Sequence, residues 1–223
     1  MTYPACLPDD TSAALTERLV DLFALHDADG AVALAVDAVS SGTISADRLY
    51  CAVLIPLLSD VGGRWHSGQI RVWEEHLESA AVRAIIEGVR PFVRIAREAV
   101  LAEHAGHAPR CALFACPPEE WHVLSLRMLS DRFAMHGWET FYLGANVPVD
   151  EIVDAACALK ADLVVLTAAT QLERLQLRDL VDGLRGRLAG VRLLVGGPAF
   201  ARNRSDWTAD ELVDPDTIPS AYA

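Results

Sequence analysis

The sequence predicts an α plus α/β chain, a four-helix bundle followed by a doubly wound parallel sheet. Up to about residue 104, apolar side chains recur at helical spacing with short breaks between the stretches. From residue 111 onward, short apolar runs alternate with helical stretches, the pattern of a parallel sheet covered on both faces. Of the 223 residues, 52% are hydrophobic and 22% charged, which gives enough apolar material for two small cores.

The bundle is expected to occupy residues 1–104. Residues 12–27 carry Leu15, Leu19, Val20, Leu22, Phe23 and Leu25 at helical spacing, and residues 30–40 are rich in Ala and Val. Residues 46–61 follow Ser45, a suitable N-cap, and carry Leu49, Val53, Leu54, Leu57 and Leu58. Gly62, Gly63 and Gly68 are expected to interrupt. A last segment, 70–104, has Val72, Leu77, Ala80, Ala81, Ala84, Ile85, Val89 and Val93 as its apolar positions. Pro91 is expected to kink or end it near its middle. Residues 105–109 read as a linker. The sheet domain, 110–223, is expected to have strands at 111–116, 139–142, 163–166 and 191–195, with helices at 123–136, 149–159 and 171–188. Such sheets bind ligands at the carboxyl ends of their strands. The loops there are 117–122, 143–148, 167–170 and 196–198.

The net charge of −12 argues against direct nucleic-acid binding, whose affinity comes from Lys and Arg. The five cysteines, Cys6, Cys51, Cys111, Cys116 and Cys157, are scattered and form no C-x-x-C pair, which reads as reduced thiols. Neither a signal peptide nor a run of ~20 apolar residues stands out. A cytoplasmic protein that does not engage membranes is the expectation.

Two stretches carry chemistry. In the first strand-end loop, His122 can coordinate a transition metal, and Glu120 can accept the other ring N–H and set the tautomer. Thr167 ends the third strand with a small hydroxyl side chain, and Gly196-Gly197 after the fourth allows close backbone approach. In the bundle, nine residues separate Trp65 from the pair Glu75-His76. Taken alone, each feature also fits an ordinary surface loop, turn or core aromatic.

Together, Glu120-x-His122-x-x-Ser125, the Thr167 strand end and Gly196-Gly197 resemble the D/E-x-H-x-x-G … S/T … G-G pattern of cobalamin-binding domains. Leu143-Gly144-Ala145-Asn146-Val147-Pro148 resembles their second loop. The resemblance implies a Rossmann-like or flavodoxin-like domain that binds cobalamin base-off. His122 would be the lower axial ligand of cobalt. The nucleotide tail would run beside Thr167, Gly196 and Gly197, near Ser125, and Asn146 of the second loop would also bind the cofactor. Ser125 departs from the usual glycine, and the chain ends soon after Asp214-Pro215, which leaves little room for a usual last helix.

The Trp65-x(9)-Glu75-His76 spacing resembles the CarH/LitR group of adenosylcobalamin photoreceptors, in which a helical bundle caps the upper face of the cofactor. That resemblance implies that Trp65 packs on the adenosyl group, that Val72, Glu75 and His76 line its site, and that His66 is an upper cobalt ligand after photolysis. Those photoreceptors carry a MerR-type DNA-binding domain, whereas this chain starts almost at the bundle and is acidic. Stand-alone relatives, the photocobilins, bind biliverdin as well. The aromatic surface of Trp73 and Trp121 is compatible with such a second chromophore. The expected role is a non-enzymatic, homo-oligomeric light sensor, signalling through its assembly or an unidentified protein partner. The rival readings are a corrinoid carrier protein of a methyltransferase system and a storage or chaperone protein.

Overall fold

The computed structural model describes residues 8–200, 207–208, 211–213 and 218–222, with the backbone alone at 171–173. The chain passes from one compact unit to another at Ile95/Ala96.

The first unit is helical. Helix α1 (Asp10–Ala24) starts in a reciprocal cap. The Asp9 carboxylate accepts from the Ser12 amide at 2.8 Å, and the Ser12 hydroxyl accepts from the Asp9 amide at 2.8 Å. It buries Leu15, Leu19 and Phe23. Helix α2 (Ala28–Ser40) is capped by Asp27 and buries Ala31, Ala35 and Val39.

Helix α3 (Ala46–Arg48) starts at Ser45 and runs into a π-helical stretch, Leu49–Leu54, and then into α4 (Ile55–His66). All six π-helical residues are buried, and the Ile55 amide donates to the Tyr50 carbonyl five residues back. Pro56 follows directly. A proline ring crowds the carbonyl four residues back in a regular helix, and a wider turn relieves that crowding.

Helix α5 (Val72–Glu103) buries Glu78, Ala81, Val82, Ile85, Ile86, Val89 and Val93. The division between the units falls inside it, at Ile95/Ala96.

One expectation for this unit is corrected, and one of the two alternatives for Pro91 is excluded. Gly62 and Gly63 do not interrupt α4. Each costs about 1 kcal/mol in a helix interior, but Leu57 and Val61 are buried and hold the turn. The break comes at Gly68, whose φ of +75° suits glycine. Pro91 does not end α5. Val89 and Val93 on either side of it are buried, and burying two valines offsets the roughly 3 kcal/mol a mid-helix proline costs.

The second unit follows the sequence pattern closely. Strands β1 (Cys111–Ala115), β2 (Glu139–Gly144), β3 (Leu163–Thr167) and β4 (Arg192–Gly196) alternate with α6 (Val123–Met135), α7 (Val149–Ala158) and α8 (Gln171–Arg187). The sheet order is β2-β1-β3-β4, every pairing parallel, with Phe114 beside Val165 and Val165 beside Leu194. One face buries Leu113, Val164, Leu166, Ile152, Leu177 and Val181. The other buries Phe114, Val165, Leu194, Leu126, Phe133 and Trp138, together with Ile218 and Ala221 from the C-terminal tail. At about 1.5–3 kcal/mol per large buried side chain, these layers fix which strand ends lie side by side.

The tail is tied down at several points. The Val213 amide donates to the Val195 carbonyl at 2.9 Å. The Trp138 indole N–H donates to the Pro219 carbonyl at 2.7 Å. Tyr222 stacks on His104 with ring centroids 4.2 Å apart.

Chain order reverses between β1 and β3, since the chain leaves β1 for β2 on one side and returns to β3 on the other. Diverging connections at such a point open a crevice at the carboxyl ends of the two strands.

Candidate cofactor site

The loop after β1 fills one side of that crevice. Beyond the strand, Cys116 donates its amide to the Gly144 carbonyl at 2.9 Å, and Glu119 adopts a positive φ of 67°. This turn brings Glu120 inward, where it has no exposed surface. One carboxylate oxygen accepts from the His122 amide at 2.7 Å and lies 2.8 Å from the His122 Nδ1. The other accepts from the Ala169 amide, on the loop after β3, at 2.6 Å. A carboxylate can only accept, so Nδ1 carries a proton, and in the neutral imidazole Nε2 then carries the lone pair. The imidazole stands at the start of α6 with 62% of its side chain exposed. Trp121 beside it is also exposed.

The neighbouring candidates knit the strand ends together. Asn146 has a positive φ of 51°. Its amide donates to the Glu120 carbonyl at 3.0 Å, and its side-chain oxygen accepts from the Glu119 amide at 2.9 Å. It therefore holds the β1 loop in shape. Thr167 is buried, with Oγ1 3.5 Å from the Sγ of Cys116. Ser125 lies half-buried in the first turn of α6.

At Gly197, with φ of +107°, a Cβ would stand 2.4 Å from the Ala168 carbonyl oxygen. At Gly196 a Cβ would meet Val213 at 3.3 Å. The close approach these glycines permit is thus, first of all, protein backbone on protein.

The helical unit presents the second group. Trp65 lies in the last turn of α4, and His66 is its final residue. The Arg71 amide donates to the Glu74 carboxylate at 2.8 Å where α5 begins. Val72, Glu75 and His76 lie in the first turns of α5. Glu75 accepts from the Ser79 hydroxyl at 2.6 Å and lies 3.4 Å from His76 Nε2. Trp65 is 48% exposed, and Val72 and Trp73 are about half exposed, so none of the three is a core residue. Trp73 meets His26 edge-to-face at 5.5 Å.

Sequence reasoning missed the pair that fixes this hairpin. Arg64, one residue before Trp65, forms a bidentate ion pair with Glu78, at 3.2 and 2.5 Å, and also bonds Asp60 at 2.7 Å. The hydrogen bond to Glu78 is the main reason its pKa is raised. No regular spacing links positions 64 and 78. The available signal was Glu78 itself, a carboxylate on an otherwise apolar face of α5.

Glu120, His122, Asn146, Thr167, Gly196 and Gly197 thus share one sheet edge, while Trp65, His66, Val72, Glu75 and His76 share one helical hairpin. Among the described residues, no three His, Cys, Asp or Glu side chains converge to hold a metal ion.

Residues 15–89 and residues 110–214 each match a B12 binding domain family. With both matches on one chain, it is a CarH-like cobalamin-binding module. It is 36% identical over 153 residues to the HTH-type transcriptional repressor CarH of Myxococcus xanthus, covering 68% of this chain and 48% of that protein. It is 28% identical over 156 residues to the repressor CarA of the same organism, covering 70% and 49%. The chain thus spans about half the length of these curated relatives. The monomethylamine corrinoid protein of Methanosarcina barkeri shares the fold, with a TM-score of 0.73 at 18% identity over 95% of both chains. No helix among the described residues is long and apolar enough to cross a membrane.

Proposed function

We propose that this chain is a light sensor that holds adenosylcobalamin base-off, with His122 as lower axial ligand, and signals by a change of shape or assembly. The observation that carries the reading is the buried Glu120 carboxylate, which fixes an exposed imidazole at the switch point of a B12-binding sheet. The donor set fits the group. With Nδ1 turned to Glu120, Nε2 of the neutral imidazole is the nitrogen that would hold the cobalt.

When bound, adenosylcobalamin supplies a cobalt–carbon bond that light breaks. The rest falls to the chain. His122 would hold the lower face. Thr167, Ser125, Asn146 and the Gly196-Gly197 turn would border the nucleotide tail. On the helical unit, Trp65, Val72, Glu75 and His76 would meet the upper ligand. Covering half of an indole removes apolar surface worth ~1–2 kcal/mol. Loss of that cover biases a nearly balanced two-state arrangement without forcing it alone. His66, adjacent to Trp65, is the imidazole that would be available to cobalt after light. A homo-oligomer or a protein partner reads the change. The exposed aromatics Trp73 and Trp121 leave surface for biliverdin as a second chromophore.

The test is absorption spectroscopy with size-exclusion chromatography, before and after illumination, on protein loaded with adenosylcobalamin. The sensor reading expects a change in hydrodynamic size on photolysis, blunted in Trp65→Ala. His66→Ala is expected to keep the dark spectrum and lose a light-adapted form with histidines on both faces of cobalt. His122→Ala is expected to lose the histidine-ligated spectrum. Complete photolysis with no change in size, together with preferential binding of methylcobalamin, would establish a corrinoid carrier instead.

A further inference from the structure

We propose that Glu120 is a two-ended strut that makes placement of the cobalt-facing histidine and shaping of the nucleotide-tail loop a single event. The proposal rests on the cobalamin reading but goes beyond the histidine–carboxylate pair, because it concerns the far end of the carboxylate. One oxygen receives the His122 amide and Nδ1 at 2.7 and 2.8 Å, and the other receives the Ala169 amide at 2.6 Å. The two ends belong to the loops after β1 and β3, which flank the topological switch point.

The β3 loop is fixed on its other side as well. The Ala168 amide donates to the Gly196 carbonyl at 3.0 Å, and the Ala168 carbonyl accepts from the Ala199 amide at 3.2 Å. The β1 loop is fixed through the bond from the Asn146 amide to the Glu120 carbonyl. Residues that border the tail on β2, β3 and β4 are therefore joined, through one buried carboxylate, to the ring that faces cobalt. Charge-assisted hydrogen bonds to a carboxylate with no exposed surface are strong, and the low local dielectric strengthens them further. Movement at one end is passed to the other because the carboxylate is rigid and its position is set by packing.

The side-chain length matters. Aspartate is one methylene shorter, so with the two loops held where they are its carboxylate draws back from at least one end. Glutamine keeps the shape but replaces one acceptor with a donor, so it serves one end and repels the other. Glu120 is thus a positioning residue for two parts of the cofactor at once.

The experiment has two arms. In the protein without corrinoid, nuclear magnetic resonance reads the Ala169 amide. The proposal expects a downfield-shifted, slowly exchanging proton in wild type, whose exchange quickens by roughly ten-fold or more in Glu120→Asp and Glu120→Gln. In the second arm, aquocobalamin and aquocobinamide, which lacks the nucleotide tail, are titrated into wild type and Glu120→Gln. A strut makes the affinity loss roughly ten-fold greater for aquocobalamin than for aquocobinamide, because only the former uses the β3 loop. Equal losses for both, with a histidine-ligated spectrum disturbed to the same extent, would overturn the strut and leave Glu120 acting on His122 alone. Wild type that binds neither corrinoid would instead overturn the cobalamin reading. If Glu120→Gln does not fold, the Ala169 resonance in wild type still decides: a solvent-like shift and fast exchange reject the proposal.

Discussion

Replacing Arg64 by leucine tests how the hairpin that carries Trp65, His66, Glu75 and His76 is held. The Glu78 side chain is 10% exposed and that of Arg64 is 28% exposed. Removing the guanidinium strands a nearly buried carboxylate. Breaking a fully buried pair costs roughly 3–5 kcal/mol. Arg64 keeps part of its hydration, which lowers the expected cost to about 1–3 kcal/mol. The contact with Asp60, which is largely exposed, adds less than ~0.5 kcal/mol. Glu78→Leu removes the stranded charge, so the double variant Arg64→Leu/Glu78→Leu is expected to be more stable than Arg64→Leu alone. Hydrogen exchange read by mass spectrometry on peptides covering 55–66 and 72–90 is the assay. A loss of ~1–3 kcal/mol corresponds to about 5- to 150-fold faster exchange, while peptides from β1 and β3 serve as internal controls. A coupling energy within ~0.5 kcal/mol of zero in the double-mutant cycle would refute the claim that this pair holds the hairpin.

Three further outcomes follow from the sheet unit. Burial works against the charge of Glu211, but bonds from the Thr208 amide and hydroxyl, Arg185 and Arg178 outweigh it and hold its pKa down at about 2, below the ordinary 4.5. A depressed carboxylate stabilises above its ordinary pKa and loses that contribution as pH falls. Glu211→Gln should therefore lower the unfolding midpoint at pH 7, and the gap from wild type should close as pH falls from about 4.5 towards 2. Gly197→Ala should cost at least ~1–3 kcal/mol from its backbone angle alone, whereas Gly183→Ala, in an open position on α8, should gain up to ~1 kcal/mol; thermal melts compare the two. A thiol reagent followed by peptide mapping should modify exposed Cys157 well before Cys51, Cys111 or Cys116, and burial, aided by Glu139 and Asp162, pushes the Cys111 thiol up to about 11. Faster labelling at Cys111 than at Cys157 would contradict the packing of β1.

The sheet unit was legible because its signals are local. Each strand is a short apolar run, and each helix starts where the periodicity changes, so Cys111–Ala115 and Leu163–Thr167 fall within a residue or two of their expected limits. The helical unit was less legible, because there packing overrides local propensity. Gly62, Gly63 and Pro91 are breakers by composition, yet buried neighbours carry the helix past them. The π-helical stretch beside Pro56 has no periodic signature at all, since it adds one residue to a turn without changing the apolar character of Leu49–Leu54. At the candidate site, the Glu120–His122 pair could be anticipated from its two-residue spacing. The bond to Ala169 spans 49 residues and depends on strand order, which spacing does not encode. The same holds for Arg64 and Glu78, 14 residues apart, whose pairing depends on how the chain turns between α4 and α5.

The stacking of Tyr222 on His104, with ring centroids 4.2 Å apart, brings that stretch of chain back beside the residue that follows α5. A unit whose two ends meet can be grafted into a surface loop of another protein with short connections and little stretching of the host. The stretch 104–222 is thus a natural cassette. A chimera that carries this segment in the loop of an unrelated carrier protein would need no long linkers, and the geometry around His122 would travel with it, because the strut, the switch point and the glycine turn all lie within the transplanted stretch.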